Sequence, residues 1–451
     1  MLRDVLRKKL KNIANAERMR RKRMANRQEK EEFISNPFQY TSKLLGKPRS
    51  GKLNATKEEV EKYLQDIHSD PKREEPLRDI PRIEQPNEPI QAFDLTELSL
   101  SEVQQVVAKA RSKSAPGPSG IPYLLYKKCP KLIKMLHKLM KTVWKKEIVP
   151  ECWTRAEGCF VPKELNSEGI KQFRTISLLD VEGKILFSVL ARRFTKYMVA
   201  NQYIDTSVQK GGVEGLPGCW EHNSMITQLL KEARQHKGDL TLIWLDLANA
   251  YGSVPHALVK EALKRYHIPA KVQNMIVRYL DMVKFRFTVN DVTTQWQNLE
   301  IGIITGCTIS VIVFLTAMQL IIKTAAREAK GPKLQNGERQ QPLKAFMDDL
   351  TICAQKPQAA RWVLVRLEEL VKWARMAFKA RKCRSLVIKK GTIEKRNFFQ
   401  IQGEKIPTVS EEPVKCLGKG YDGSLRDTEN ARKTVQQLQE QLNLIESKNI
   451  P

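Results

Sequence analysis

The stretch Ala345-Phe346-Met347-Asp348-Asp349-Leu350 constrains this chain most, because it sets two adjacent carboxylates between apolar residues. It reads as the bend of a hairpin whose strands are Leu343–Met347 and Leu350–Ala354. Neighbouring strand residues point to opposite faces, so at most one of the two acids is expected to look straight into a core or cleft. Taken alone, Asp-Asp is an ordinary solvated turn, since Asp is a common turn residue. A third acid changes that reading. Leu240–Leu245 is an apolar, β-favouring run that ends in Asp246, the pattern of a buried strand delivering a carboxylate to its end. Two such strands side by side would bring Asp246 and Asp348 within reach of the same pair of ions. A few hard oxygen donors, completed by substrate phosphates, suit Mg²⁺.

The surroundings of these acids carry a resemblance. Asp246-Leu-Ala-Asn-Ala-Tyr251-Gly-Ser-Val-Pro255-His256 resembles the first aspartate motif of reverse transcriptases, and Phe346-Met-Asp-Asp349 resembles their aromatic-X-Asp-Asp motif. The likeness runs from about residue 100 to 425 with the motifs in the family's order, and is most similar to the enzymes of non-LTR (LINE-like) retrotransposons. It implies a right-hand polymerase, an α+β fold with an antiparallel palm sheet, helical fingers and a partial thumb. The implied reaction is extension of a DNA primer 3′-hydroxyl with dNTPs on an RNA template. Two Mg²⁺ ions, with Mn²⁺ as the alternative, would be held by Asp246 and Asp348, with Asp349 as a supporting carboxylate.

Further motifs carry further expectations. Phe160-Val-Pro-Lys163, Phe173-Arg174-Thr-Ile-Ser-Leu-Leu179, Lys184 and Arg192-Arg193 resemble the fingers motif, with Thr175 in place of a usual proline. Fingers need cations to neutralise and orient a triphosphate, so Arg174, ahead of Lys163, is expected to contact it. Gln209-Lys-Gly-Gly212 matches the motif before the first catalytic strand, and its glycines allow close backbone approach, here expected of template or primer. Tyr251 stands where the family has a steric gate against a 2′-hydroxyl, which argues for dNTPs; Gly252 stands where many relatives have Asp. Gly302-Ile-Ile-Thr-Gly306-Cys-Thr-Ile-Ser310 corresponds to the glycine-rich loop that touches template and nucleotide. Thr305, Thr308 and Val311 there replace a glutamine and two prolines. Gly302 is therefore expected at the template and Gly306 at the nucleotide. Past an amphipathic helix over Ala359–Phe378 (Trp362, Val365, Leu370, Trp373), the family places a lysine that protonates departing pyrophosphate. Lys382 is assigned, with Lys379 as the alternative. Lys415-Cys-Leu-Gly418 resembles the primer-grip hairpin, with Leu417 and Gly418 the matching positions.

The bulk properties agree. Of 451 residues, 78 are Lys or Arg and 50 Asp or Glu, a formal net charge of +28 that favours a polyanionic partner. Eight cysteines occur without a C-x-x-C pair, so reduced thiols in a nuclear or cytoplasmic, not secreted, protein are expected. Met1–Lys30 is too charged for a secretory signal. Ile301–Ile322 carries no charge but is interrupted by Gly302, Gly306, Ser310 and Gln319, so it reads as a loop and buried helix rather than a membrane span.

The expected organisation is a basic extension and linker over 1–92, fingers and palm over 93–425, and the start of a truncated thumb over 426–451. Within the first part, Thr56 and Glu59 form a capping box, and Ser69–Pro89 has the Pro- and charge-rich composition of a linker or an extended surface segment. From Thr428, Val435, Leu438, Leu442 and Ile445 make one apolar helical stripe that needs a partner. Two rivals stand beside the enzyme: a catalytically inactive, transposon-derived nucleic-acid-binding protein, and an RNA-dependent RNA polymerase, which fits Tyr251 poorly. Oligomeric state and template identity are not legible in the sequence.

Overall fold

The computed structural model describes residues 2–35, 40, 51–163, 166–213, 218–289, 292–396 and 398–447. Its strands are β1 (Arg155–Pro162), β2 (Phe173–Leu179), β3 (Leu240–Leu245), β4 (Lys284–Val289), β5 (Val292–Thr293), β6 (Gln297–Asn298), β7 (Leu343–Phe346), β8 (Asp349–Ala354), β9 (Arg384–Lys389), β10 (Thr392–Ile393), β11 (Phe399–Ile401), β12 (Glu404–Ile406), β13 (Val414–Cys416) and β14 (Lys419–Tyr421). The larger of two compact units comprises Gly51–Lys163 and Ser167–Leu425.

The palm is a five-stranded sheet in the order β10-β9-β3-β8-β7, antiparallel at every pairing. All six residues of β3 are buried, which follows from their position at the middle of this sheet. Alternation sends Ile243 and Leu245 into one hydrophobic cluster and Leu240, Leu242 and Trp244 into another, so an unbroken apolar run serves two cores. The helices Thr308–Ala326 and Pro357–Trp373 belong with the first cluster, and Cys219–Gln235 with the second. Each large side chain so buried contributes about 1.5–3 kcal/mol. A second sheet, in the order β2-β1-β4-β5 with β6 on β4, forms the fingers strands. Here Gly158 is required by close packing, because a Cβ would fall 2.3 Å from the Phe287 ring.

Thr308–Ala326 is long and apolar enough to cross a membrane by length and composition alone. It packs instead against Val181–Ala200, His256–Arg265 and Pro357–Trp373 as the core helix expected from the sequence. Two expectations need correction. Residues 51–92 are not a linker before the domain: Leu53, Val60, Leu64 and Ile83 are in the main core. The Pro-rich segment is tied down through its carbonyls, with Trp373 Nε1 donating to Arg78 O (2.5 Å), Arg375 donating to Lys72 O (2.7 Å) and Glu75 O (2.8 Å), and Tyr203 Oη to Asn87 O (2.7 Å). Composition missed this because the donors come from side chains far along the chain. In Pro357–Trp373, Trp362 and Val365 are exposed, and the buried face is Ala360, Val363, Leu364, Leu367, Leu370 and Val371.

The second unit holds the terminal helices Leu2–Ser35 and Thr428–Ser447. The first is exposed along most of its length and carries the i,i+4 pairs Arg21–Glu17 (3.2 Å) and Arg27–Glu31 (3.1 Å). The second exposes Val435, Leu438 and Leu442.

Candidate active site

Strand pairing assembles the acids. β3 runs antiparallel to β8 with Leu245 opposite Leu350, so the next residue, Asp246, comes across from Asp349. β7 and β8 are joined through Met347 and Asp348, with Phe346 opposite Asp349. The second strand thus begins one residue earlier than the sequence suggests, and Asp348 belongs to the turn. Because a turn residue does not obey strand alternation, the limit of one acid facing the cleft does not bind this pair, and the charge of Asp246 acts on both. Burial raises the Asp348 carboxyl above its ordinary value and the charge of Asp246 adds to this, while its own backbone N–H and Lys379 pull the other way. Asp349 is pushed up to about 6 by burial, then by Asp348 and Asp246. Asp246 Oδ2 is buried with no hydrogen-bond partner.

A buried acceptor lacking a donor, facing two acids that resist ionisation, fits a divalent cation. Among the described residues no group of three or more His, Cys, Asp or Glu side chains is arranged to hold a metal ion by itself. Under Asp246, its backbone N–H points to Cys383 Sγ (3.5 Å), and burial pushes that thiol up to about 11. The sequence offered no sign of this contact, since an isolated cysteine has no pattern.

Tyr251 is half-buried and its ring stacks on Phe314, with centroids 4.5 Å apart and planes 8° from parallel. Burial raises its hydroxyl well above the usual range, and the charge of Asp348 adds to it. Phe314, which reads as core in the sequence, is therefore the support of the ring. The glycine-rich loop is wedged behind: Gly302 has φ +92° and a Cβ there would meet the Gly252 backbone at 2.8 Å, while Ile303 N–H donates to Tyr251 O (2.8 Å). Gly306 has φ +90° and its Cβ would lie 2.2 Å from Ser177 O on β2. Both glycines thus serve approach between protein segments. Gly302 is buried, against the expectation that it touches template, whereas Gly306 is exposed. Gly212 is exposed, and a Cβ there would lie close to Met347, Val311 and Leu315, so its lack of a side chain also admits the aspartate hairpin.

With this geometry established, sequence comparison is decisive. Residues 161–420 match the family described as Reverse transcriptase (RNA-dependent DNA polymerase), more than half of the chain. The chain belongs to the reverse transcriptase family. It is 23% identical over 321 residues to the retrovirus-related Pol polyprotein from type-1 retrotransposable element R2 of Nasonia vitripennis, covering 71% of this chain and 30% of that protein. It is also 23% identical over 341 residues to the type-2 element R2DM polyprotein of Drosophila melanogaster, covering 73% and 31%. The chain therefore spans about a third of the length of these curated relatives, and the non-LTR resemblance of the motifs agrees with them. Among solved structures, apo telomerase from Candida tropicalis is similar with a TM-score of 0.38 and 13% identity, covering 67% of this chain and 60% of that one.

The remaining expected residues of this reverse transcriptase domain divide. Lys163 and Arg174 lie on the β1–β2 hairpin, where Arg174 is opposite Val161 and exposed, and Lys163 Nζ donates to Lys171 O (2.6 Å). Neither is among the groups acting on Asp348 or Asp349. Lys379 is: its charge opposes the rise at Asp348, and its backbone N–H donates to Asp246 O (2.8 Å). Lys382 is exposed at the end of the short 3-10 turn Ala380–Lys382 and does not act on Asp348. Of the two lysines, Lys379 is the one whose charge acts on Asp348. Leu417 and Gly418 form the two-residue loop between β13 and β14, with φ +45° and +90°. Leu417 O accepts from Asn223 Nδ2 (3.2 Å).

Proposed function

We propose that this chain extends a DNA primer with dNTPs on an RNA template, using Asp246, Asp348 and Asp349 as carboxylates for two Mg²⁺ ions. The observation that carries the reading is the buried, unpartnered Oδ2 of Asp246 set against two carboxyls whose ionisation it opposes. When bound, Mg²⁺ would lower the pKa of the primer 3′-hydroxyl and neutralise the triphosphate and leaving oxygen. Asp246 and Asp348 would hold both ions, and Asp349 would adjust the charge beside them. Tyr251, braced by Phe314, would place its ring under the sugar and exclude a 2′-hydroxyl. Arg174, with Lys163 near it in sequence, would steer the triphosphate from the fingers, and Lys379 would give a proton to departing pyrophosphate. Gly306 would lie by the nucleotide, and Leu417 and Gly418 would position the primer. The excess of basic residues supplies the attraction for template and primer phosphates.

The test is extension of oligo(dT) on poly(rA) with Mg²⁺ and either dTTP or UTP. The expected outcome is extension with dTTP, little with UTP, and a loss of about 10³-fold or more in Asp348→Asn with template affinity kept. An active Asp348→Asn protein would overturn the site. Tight template binding without any extension by the parent chain would instead support the inactive, nucleic-acid-binding reading.

A further inference from the structure

We propose that Gln209 is a positioning residue that holds the Met347–Asp348 peptide and thereby aims the Asp348 carboxylate; this rests on the reading of Asp348 as a metal-binding carboxylate. Gln209 is 1% exposed although its side chain is a primary amide. Its Oε1 accepts from the Met347 N–H (2.8 Å) and from the Gly211 N–H (3.0 Å), and its Nε2 donates to Met347 O (3.4 Å). Two N–H groups on one atom identify that atom as the oxygen, which leaves the nitrogen for the carbonyl. The amide therefore grips both polar groups of one turn residue.

That residue needs gripping. Met347 has φ +58°, a left-handed conformation that costs a residue with a Cβ about 1–2 kcal/mol. Its carbonyl and the Asp348 N–H are two ends of one rigid peptide plane. A donor fixed on Met347 O therefore sets the tilt of the plane, and with it the direction in which the Asp348 Cα carries its carboxylate.

The segment around Gln209 is shaped to the hairpin. Ala345 N–H donates to Val208 O (2.9 Å) and Lys210 N–H to Ala345 O (2.9 Å), so the segment bridges in parallel with the outer edge of β7. A Cβ on Gly211 would lie 2.7 Å from Met347 N, one on Gly212 2.8 Å from Met347 Sδ, and one on Gly218 2.8 Å from the Phe346 ring. An ion pair between Lys210 and Glu221 (2.7 Å) ties the segment to Cys219–Gln235. Only glutamine supplies an acceptor for two N–H groups and a donor for the carbonyl at this reach: Glu lacks the donor and Met lacks both.

The test compares Gln209→Met and Gln209→Glu with the parent and with Asp348→Asn. Mn²⁺ binding is read by electron paramagnetic resonance on folded protein with primer–template, and dTTP extension kinetics are read beside it. For Gln209→Met the expected result is Mn²⁺ affinity and kcat each lowered by about 10–100-fold, as for other groups that orient metal-binding carboxylates, with the KM for dTTP and primer–template affinity within about twofold. Gln209→Glu, which keeps the acceptor, should fall between Gln209→Met and the parent; if Gln209→Met does not fold, Gln209→Glu carries the comparison. Parent-like Mn²⁺ binding and kcat in a folded variant would overturn the role of Gln209, as would a loss confined to KM or to thermal stability. A parent protein that binds no more Mn²⁺ than Asp348→Asn would overturn the metal-site reading and this proposal together.

Discussion

Two of the two-residue hairpins of this domain, β7–β8 and β13–β14, are held in different ways. At β13–β14 the loop is Leu417-Gly418, both with positive φ, and nothing lies within 4 Å of where a Cβ on Gly418 would be. This is the local solution for a tight hairpin, whose mirror-image turns match the strand twist and favour glycine, with a tertiary bond from Asn223 Nδ2 to Leu417 O added. At β7–β8 the loop is Met347-Asp348, with no glycine in it. There the left-handed residue is Met347, held by a glutamine 138 residues away in sequence. Two net hydrogen bonds contribute about 1–3 kcal/mol, enough to offset the conformational cost. The comparison teaches that a turn can present a carboxylate when tertiary contacts take over the work that glycine does locally.

The largest expected effect that sharpens this contrast is at the lysine beside the aspartate turn. Lys379→Ala should lower kcat by about 10–100-fold, as expected for loss of a general acid, while Lys382→Ala should stay within about threefold. Single-turnover extension across pH would check this, and a larger loss in Lys382→Ala would return the role to that residue.

Next is the cost of the clustered acids. The Asp349 carboxyl is raised from 3.8 to about 6 on folding. A raised acid stabilises the folded state fully below pH 3.8, and this contribution is lost as pH rises through about 6. Above that, ionised Asp349 opposes folding. Asp349→Asn should therefore raise stability at pH 7.5 in EDTA by about 1–2 kcal/mol, allowing for screening by solvent at this partly exposed group. Mg²⁺ should narrow the difference, because an ion that binds the ionised form stabilises the parent. Urea unfolding with and without Mg²⁺ reads both, and an Asn variant less stable in EDTA would contradict the mutual repulsion of the acids.

The smallest effect is at the other hairpin. Gly418→Ala should cost about 1 kcal/mol in urea unfolding, the conformational penalty of a Cβ at positive φ with no clash added. A much larger cost would mean that the Cβ also disturbs the bond from Asn223 to Leu417 O.

Much of the site was legible because burial leaves a pattern. An apolar run ending in Asp246, and an Asp pair between apolar segments, predict strand ends that carry acids, and the motifs from Lys163 to Gly418 occur in family order. Neighbour relations left no such pattern. Lys379 and Lys382 are separated only by a short 3-10 turn, and composition does not say which one reaches Asp348. Gly212 was legible as a place of close approach, but not that the approaching group is Met347.

The sequence by itself determined the strands that end in the acids and the strongly basic character, because hydrophobic period, glycine and charge act locally along the chain, and the order of its motifs carried the resemblance to the family. Only the tertiary structure decided that Leu53, Val60, Leu64 and Ile83 join the core, that Phe314 braces Tyr251, that the charge of Lys379 acts on Asp348 and that Gln209 bonds to the turn. Those outcomes depend on hydrogen bonds and ring contacts between residues far apart in sequence, whose partners become defined only when the sheets and helices have packed.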